Sequence, residues 1–174
     1  MAADPLNALR LPVVPVDPRP EFAAALQRRM AAATEGRTEA GGRRDDPTVR
    51  YFVNDLELAV AFYCQQLGFT EELRSPPAFA MLYRGGLRLL LSVPGLPGGG
   101  AALPDGTVPA AGGWNRITVQ VSDLGATVDA LSSAGVPVRA GITRGIAVRQ
   151  ALIQDPSGNL VELIEPAKGY HERP

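Results

Sequence analysis

Residues 48–69 read TVRYFVNDLELAVAFYCQQLGF, and residues 115–135 read NRITVQVSDLGATVDALSSAG. The two stretches are built alike. Val53-Asn54-Asp55-Leu56 returns as Val121-Ser122-Asp123-Leu124, 68 positions later. Self-similarity at a fixed offset decides an architecture before any single motif does. Each stretch opens on a strand-like run, Thr48 to Val53 and Asn115 to Val121. Each continues as an amphipathic helix. The first spans about Asp55 to Leu67, with Leu56, Val60, Tyr63 and Leu67 on one stripe; the second spans about Asp123 to Ala134, with Leu124, Val128 and Leu131. Each aspartate can accept from the free N–H groups of its helix start, and Gly68 and Gly135 supply the stops.

Three strand candidates follow each helix. They are Phe69 to Arg74, Ala78 to Arg84 and Leu87 to Val93, then Val136 to Ala140, Ile146 to Gln154 and Leu160 to Glu165. Gly85-Gly86 predicts a tight hairpin, and Asp155-Pro156-Ser157-Gly158-Asn159 a turn with Gly where φ is positive. Each half therefore reads β-α-β-β-β, an α+β chain of two modules, about 48–93 and 114–166, joined by a Gly- and Pro-rich loop, 94–113. A loop of that length is commonly functional or disordered.

Upstream, residues 1–47 differ. Leu11 to Pro20 carries four prolines and predicts extended chain. Glu21 to Ala33 predicts a helix with Phe22, Leu26 and Met30 on one face, and Thr34 to Pro47 a polar linker. The expected organisation is an N-terminal helical arm, 1–47, before a two-module domain, 48–170.

Composition bounds the function. In 174 residues, 45% are hydrophobic and 20% charged, and the formal net charge is -1. No basic excess favours nucleic acid, and no long apolar run favours a membrane span. The N-terminus lacks the pattern of a secretory signal, so a cytoplasmic location is expected. Cys64 is the only cysteine, which excludes an intramolecular disulfide, and His171 is the only histidine. No phosphate loop or nucleophile elbow occurs, and a serine or cysteine triad would need a histidine.

Ala61-Phe62-Tyr63 followed by Leu67-Gly68-Phe69, together with Asp155-Pro156-Ser157-Gly158-Asn159-Leu160-Val161-Glu162-Leu163, resembles the vicinal oxygen chelate superfamily, the glyoxalase / bleomycin-resistance / dioxygenase family. The likeness covers about Thr48 to Pro166. It implies tandem modules whose curled mixed sheets form a cup. In metal-using members it also implies a ligand on the first strand of each module, seven residues before the helix-opening Asp, and another on each last strand. Here those positions hold Thr48, Arg116, Leu89 or Leu90, and Glu162. Only Glu162 is of ligand type, and a guanidinium cannot coordinate a cation. The expectation is no metal and no cofactor.

Period-two alternation places candidate ligand-binding residues on the first strands: Thr48, Arg50 and Phe52, then Arg116, Thr118 and Gln120, with Glu162 on the last strand. Glu162 is a candidate general base or ligand acceptor; alternatively it forms an ion pair with Arg116 or Arg50. Trp114 either stacks on a planar ligand or plugs the junction between modules. The function expected is a metal-free small-molecule-binding protein, sequestering a drug or metabolite as in antibiotic resistance and working as a homodimer. The alternative is a metal-dependent lyase, isomerase or dioxygenase of the same superfamily. A protein-interaction module docking through the Phe22–Leu26–Met30 face is a third reading.

Overall fold

The computed structural model describes residues 46–97 and 99–167; the predicted helix Glu21 to Ala33 and His171 lie outside the described residues. The first module consists of β1 (Thr48–Phe52), α1 (Leu56–Ala61), a π-helical turn (Phe62–Gln66), β2 (Thr70–Ser75), β3 (Phe79–Arg84) and β4 (Leu87–Ser92). The second consists of β5 (Arg116–Gln120), α2 (Leu124–Ser133), β6 (Val138–Arg144), β7 (Val148–Gln154) and β8 (Leu160–Pro166). Two four-stranded sheets result, ordered β1-β4-β3-β2 and β5-β8-β7-β6. The first strand of each module pairs in parallel with the last, and the other pairings are antiparallel. This is the α+β tandem fold expected from the repeat. Neither sheet closes into a barrel.

The repeated aspartates cap their helices as their position suggests. Asp55 Oδ1 accepts from the Leu58 amide and Asp123 Oδ1 from the Ala126 amide, each at 2.9 Å. Gly85 and Gly86 turn the β3–β4 hairpin with φ of 56° and 82°, values that a side chain would strain.

One face of each sheet packs on its helix. Tyr51, Val53, Leu82, Leu89 and Leu91 from the first module and Ile117, Val119, Ile153, Val161 and Leu163 from the second belong to one buried cluster, with Leu56, Val60, Tyr63, Leu124 and Leu131 of the helical segments. Widening to a π turn leaves the neighbours Phe62 and Tyr63 both buried, and their rings meet edge to face at 5.0 Å.

Three boundaries differ from expectation by more than one residue. Val136 and Pro137 precede β6, which runs on to Arg144, and Ile146 lies in the β6–β7 turn rather than in a strand. The β-branched Ile146 suggested a strand, but the Gly145 amide bonds the Val148 carbonyl at 2.8 Å and closes the hairpin around it. Among the described residues no helix is long and apolar enough to cross a membrane.

The sheets share no ladder; side chains join them. The Tyr51 hydroxyl accepts from the Ile117 amide at 2.7 Å and donates to the Leu160 carbonyl at 2.8 Å. Asn159 Nδ2 donates to the Phe52 carbonyl at 2.9 Å, and Arg84 Nη2 to the Gln120 carbonyl at 2.9 Å. Gln120 stands 68 positions after Phe52, so the repeat is mirrored in its joints. Arg84 Nη1 also bonds the Leu67 carbonyl, beyond the first helical segment. The Asp155 turn is the central knot. Its carboxylate accepts from the Ser157 and Asn159 amides, from Asn159 Nδ2, and from the buried Tyr63 hydroxyl at 3.0 Å.

Candidate functional site

The sheet faces turned away from the helices carry the predicted site residues, and the two faces are not equivalent. In the first sheet, register puts Arg50 beside Leu90, Leu90 beside Met81, and Phe52 beside Ser92 beside Phe79. Phe79, Leu90 and Ser92 are nonetheless buried. Arg50 Nη1 donates to Ser92 Oγ at 2.7 Å. A β-carbon at Gly99, where φ is 101°, would fall onto the Arg50 guanidinium. Leu96 and Pro97 approach Phe79 and the Pro76-Pro77 turn around an apolar cavity of about 140 Å³. The long loop therefore lies over the first face. Thr48 and Arg50 are exposed at its edge, and Phe52 is half-buried.

The second face is open. Arg116, Thr118 and Gln120 are exposed along β5, and Thr118 stands in register with Glu162 on β8. Arg116 Nε lies 3.2 Å from Glu162 Oε1, and Thr118 Oγ1 donates to Glu162 Oε2 at 3.2 Å. The carboxylate is the more sheltered partner, its side chain 17% exposed against 42% for Arg116. Glu162 thus pairs with Arg116, one of the two arginines expected as its partner. Gln150, Leu152, Ala140 and Thr143 complete a recess of about 100 Å³ beside that pair. Beyond it, every residue of β6 is exposed. The sequence reading missed these four lining residues. Their register against Glu162 identifies them, but that register becomes available only once the β6–β7 hairpin is placed correctly.

Trp114 does not plug the junction. It is 78% exposed, two residues before Arg116. The junction is filled instead by Tyr51, Tyr63 and the Asp155 knot, all deeply buried. Burial pushes the Tyr51 hydroxyl up to about 12 and the Tyr63 hydroxyl well above its ordinary value, the latter reinforced by the Asp155 charge. Cys64 is half-buried, and burial raises its thiol too, which gives no activated nucleophile.

The donor set does not fit a divalent metal. Thr48, Arg116 and Glu162 stand at three of the four positions that the resemblance implies for metal ligands. Register resolves the fourth as Leu90, since Leu89 faces the helix-side core. One carboxylate already engaged by a guanidinium leaves too few donors to replace a cation's water shell. Among the described residues no three His, Cys, Asp or Glu side chains come together.

The profile of the Glyoxalase/Bleomycin resistance protein/Dioxygenase superfamily matches residues 47–163. No curated protein matches the sequence. Among solved structures, the chain is similar to lactoylglutathione lyase from Agrobacterium tumefaciens, at 22% identity and a TM-score of 0.54 over 75% of this chain and 96% of that one. It is similar to TioX from Micromonospora sp. ML1, at 26% identity and a TM-score of 0.53 over 69% and 97%. It is also similar to TnmS3, an antibiotic binding protein from Streptomyces sp. CB03234, at 22% identity and a TM-score of 0.51 over 76% and 100%.

Proposed function

The chain belongs to the glyoxalase/bleomycin resistance protein/dioxygenase superfamily, and on that premise we propose that it captures a small organic molecule on the open face of the second sheet without using a metal. The observation that carries this reading is the Arg116–Glu162 pair. It fills, with a cation and its counter-ion, two of the positions where the family resemblance implies metal ligands.

The chemistry of the face suggests the ligand class. Arg116, Glu162, Thr118, Gln120, Gln150 and Thr143 offer donors and acceptors around the apolar Leu152 and Ile164. The pair is neutral overall, so the face suits an uncharged or zwitterionic molecule with polar groups on an apolar or aromatic frame. A recess of about 100 Å³ seats one functional group; whole drug-sized ligands occupy roughly 300 to 1,000 Å³. The remainder would extend over the open sheet towards Trp114, whose indole is free to stack. A second copy of the chain, in a homodimer, would cover that remainder. Thr48, Arg50 and Phe52, under or beside the long loop, are assigned a supporting part. Sequestration of an antibiotic or similar metabolite is the activity this reading favours, and the antibiotic-binding neighbour agrees with it.

The test uses the only tryptophan. Chelator-treated protein is titrated with bleomycin and a panel of planar aromatic antibiotics while Trp114 fluorescence is followed. The reading predicts saturable quenching by at least one compound in the micromolar range, weakened about tenfold or more by Arg116→Ala with the fold intact. No saturable change across the panel, or binding that requires added Zn, Mn, Ni or Fe(II), would overturn it. The second outcome would bring forward the metal-dependent lyase, isomerase or dioxygenase.

A further inference from the structure

Resting on the reading that the open face of the second sheet captures a small molecule, we propose that the recess beside Arg116 and Glu162 takes an uncharged carboxamide, with Gln150 as the residue that sets this preference. Register brings the three side chains together. Thr118, Glu162, Leu152 and Ala140 form one row across β5, β8, β7 and β6, and Gln120, Ile164, Gln150 and Thr143 form the next. The rows stand two residues apart along β5, β8 and β7, so both lie on one face of the sheet. Arg116, Glu162, Gln150 and Leu152 all line the recess of about 100 Å³. Among the described residues, Arg116 and Glu162 are the only charged ones that line it.

The polar atoms left over define the ligand. Glu162 Oε1 faces Arg116 Nε and Oε2 accepts from Thr118 Oγ1, at 3.2 Å each, so each carboxylate oxygen keeps a lone-pair position. Among the described residues, the terminal nitrogens of Arg116 and the half-buried Gln150 amide have no hydrogen-bond partner. The recess thus presents donors and an acceptor side by side, with no net charge. A carboxylate ligand would meet Glu162 and an ammonium ligand would meet Arg116, a like charge in each case. A carboxamide meets neither. Its oxygen accepts from Arg116, one N–H donates to Glu162, and Gln150, whose amide both donates and accepts, pairs with what remains. Only a primary amide, or one held cis in a ring, presents oxygen and N–H on a single edge, because an open-chain secondary amide is trans. Size agrees. At roughly 30 Å³ per water, a recess of about 100 Å³ holds about three non-hydrogen atoms, the number in a carboxamide. Leu152 and Ile164, in the same rows, would meet the apolar frame that bears it.

The probes are benzamide, N-methylbenzamide, benzoate and benzamidine, one ring with differing head groups, added to chelator-treated full-length protein. Binding is followed by NMR of the Arg116 Nε–H and the Gln150 side-chain amide, assigned from Arg116→Ala and Gln150→Leu. Benzamide is expected to shift both signals saturably and to bind at least about tenfold more tightly than each of the others. Gln150→Leu should cut that preference to about threefold or less, with the melting temperature little changed. Gln150→Glu keeps the shape and adds a negative charge, and it should make the benzamidine cation the tightest binder of the series. Any of the other probes matching benzamide on the unaltered protein would overturn the proposal, as would benzamide shifts that miss Arg116 and Gln150. An unchanged order of affinities in Gln150→Glu would overturn the part given to Gln150. Failure of benzamide while an antibiotic still quenches Trp114 in an Arg116-dependent way strikes the carboxamide alone. Benzamide binding only with added Zn, Mn, Ni or Fe(II) strikes the metal-free reading, and the proposal with it.

Discussion

Tyr51 and Tyr63 do at the residue scale what neither could be seen to do in sequence. Tyr63 lies on the apolar stripe of the first helix, and Tyr51 lies in the first strand between predicted site residues. Each also carries a hydroxyl to a partner in the other module, Tyr51 to Ile117 and Leu160, Tyr63 to Asp155. Both hydroxyls titrate above their ordinary range, Tyr51 at about 12. A group whose pKa is raised on folding contributes stability that is fully present below its unfolded value, about 10, and lost as pH climbs through the folded value. The protein should therefore lose stability between about pH 10 and 12, with roughly 2 to 3 kcal/mol at stake for Tyr51 alone. Urea titrations across that range check this, and Tyr51→Phe should flatten the slope while lowering stability near neutral pH. Asp155 shows why such partners escape a sequence reading. A turn aspartate has the same neighbours whether it serves only its own loop or also accepts from a tyrosine 92 positions away.

Elements were legible where local chemistry dictates them. The caps Asp55 and Asp123 and the Gly85-Gly86 hairpin all follow from side chains within a few positions. Replacing Asp123 by Ala should cost about 1 kcal/mol, read as a lower denaturation midpoint, because the Ala126 amide loses its acceptor. The β6–β7 hairpin escapes a local reading because Ile146 has strand propensity but sits in the turn, and propensity yields to the register that β8 imposes on β7. The misplaced hairpin hides Thr143 and Ala140 from the candidate site. The long loop shows the same limit: its length flags a function, but the approach of Gly99 to the Arg50 guanidinium and of Leu96 and Pro97 to Phe79 says which face it covers. Gly99→Ala should loosen the loop, since the backbone there has a positive φ that an L side chain strains, while the Arg50 guanidinium can move aside from the added carbon. Faster proteolysis between residues 94 and 113, with the melting of the rest little changed, is the expected result.

At the scale of the whole molecule, the repeat foretold two modules but not how they are joined. A shared buried cluster and the joints at Tyr51, Tyr63, Arg84 and Asn159 make them one cooperative unit. A single calorimetric transition is expected, and two separable transitions would contradict it. The joints also leave the two outer faces unlike, one under its own loop and one open around Arg116 and Glu162. The central claim is that this open face works without a metal. Calorimetric titration of chelator-treated protein with Zn, Mn, Ni and Fe(II), in parallel with the ligand that quenches Trp114, tests it most directly. The account predicts no stoichiometric metal site and a ligand affinity unchanged by metal. A tight one-to-one metal site that is lost in Glu162→Gln would contradict it.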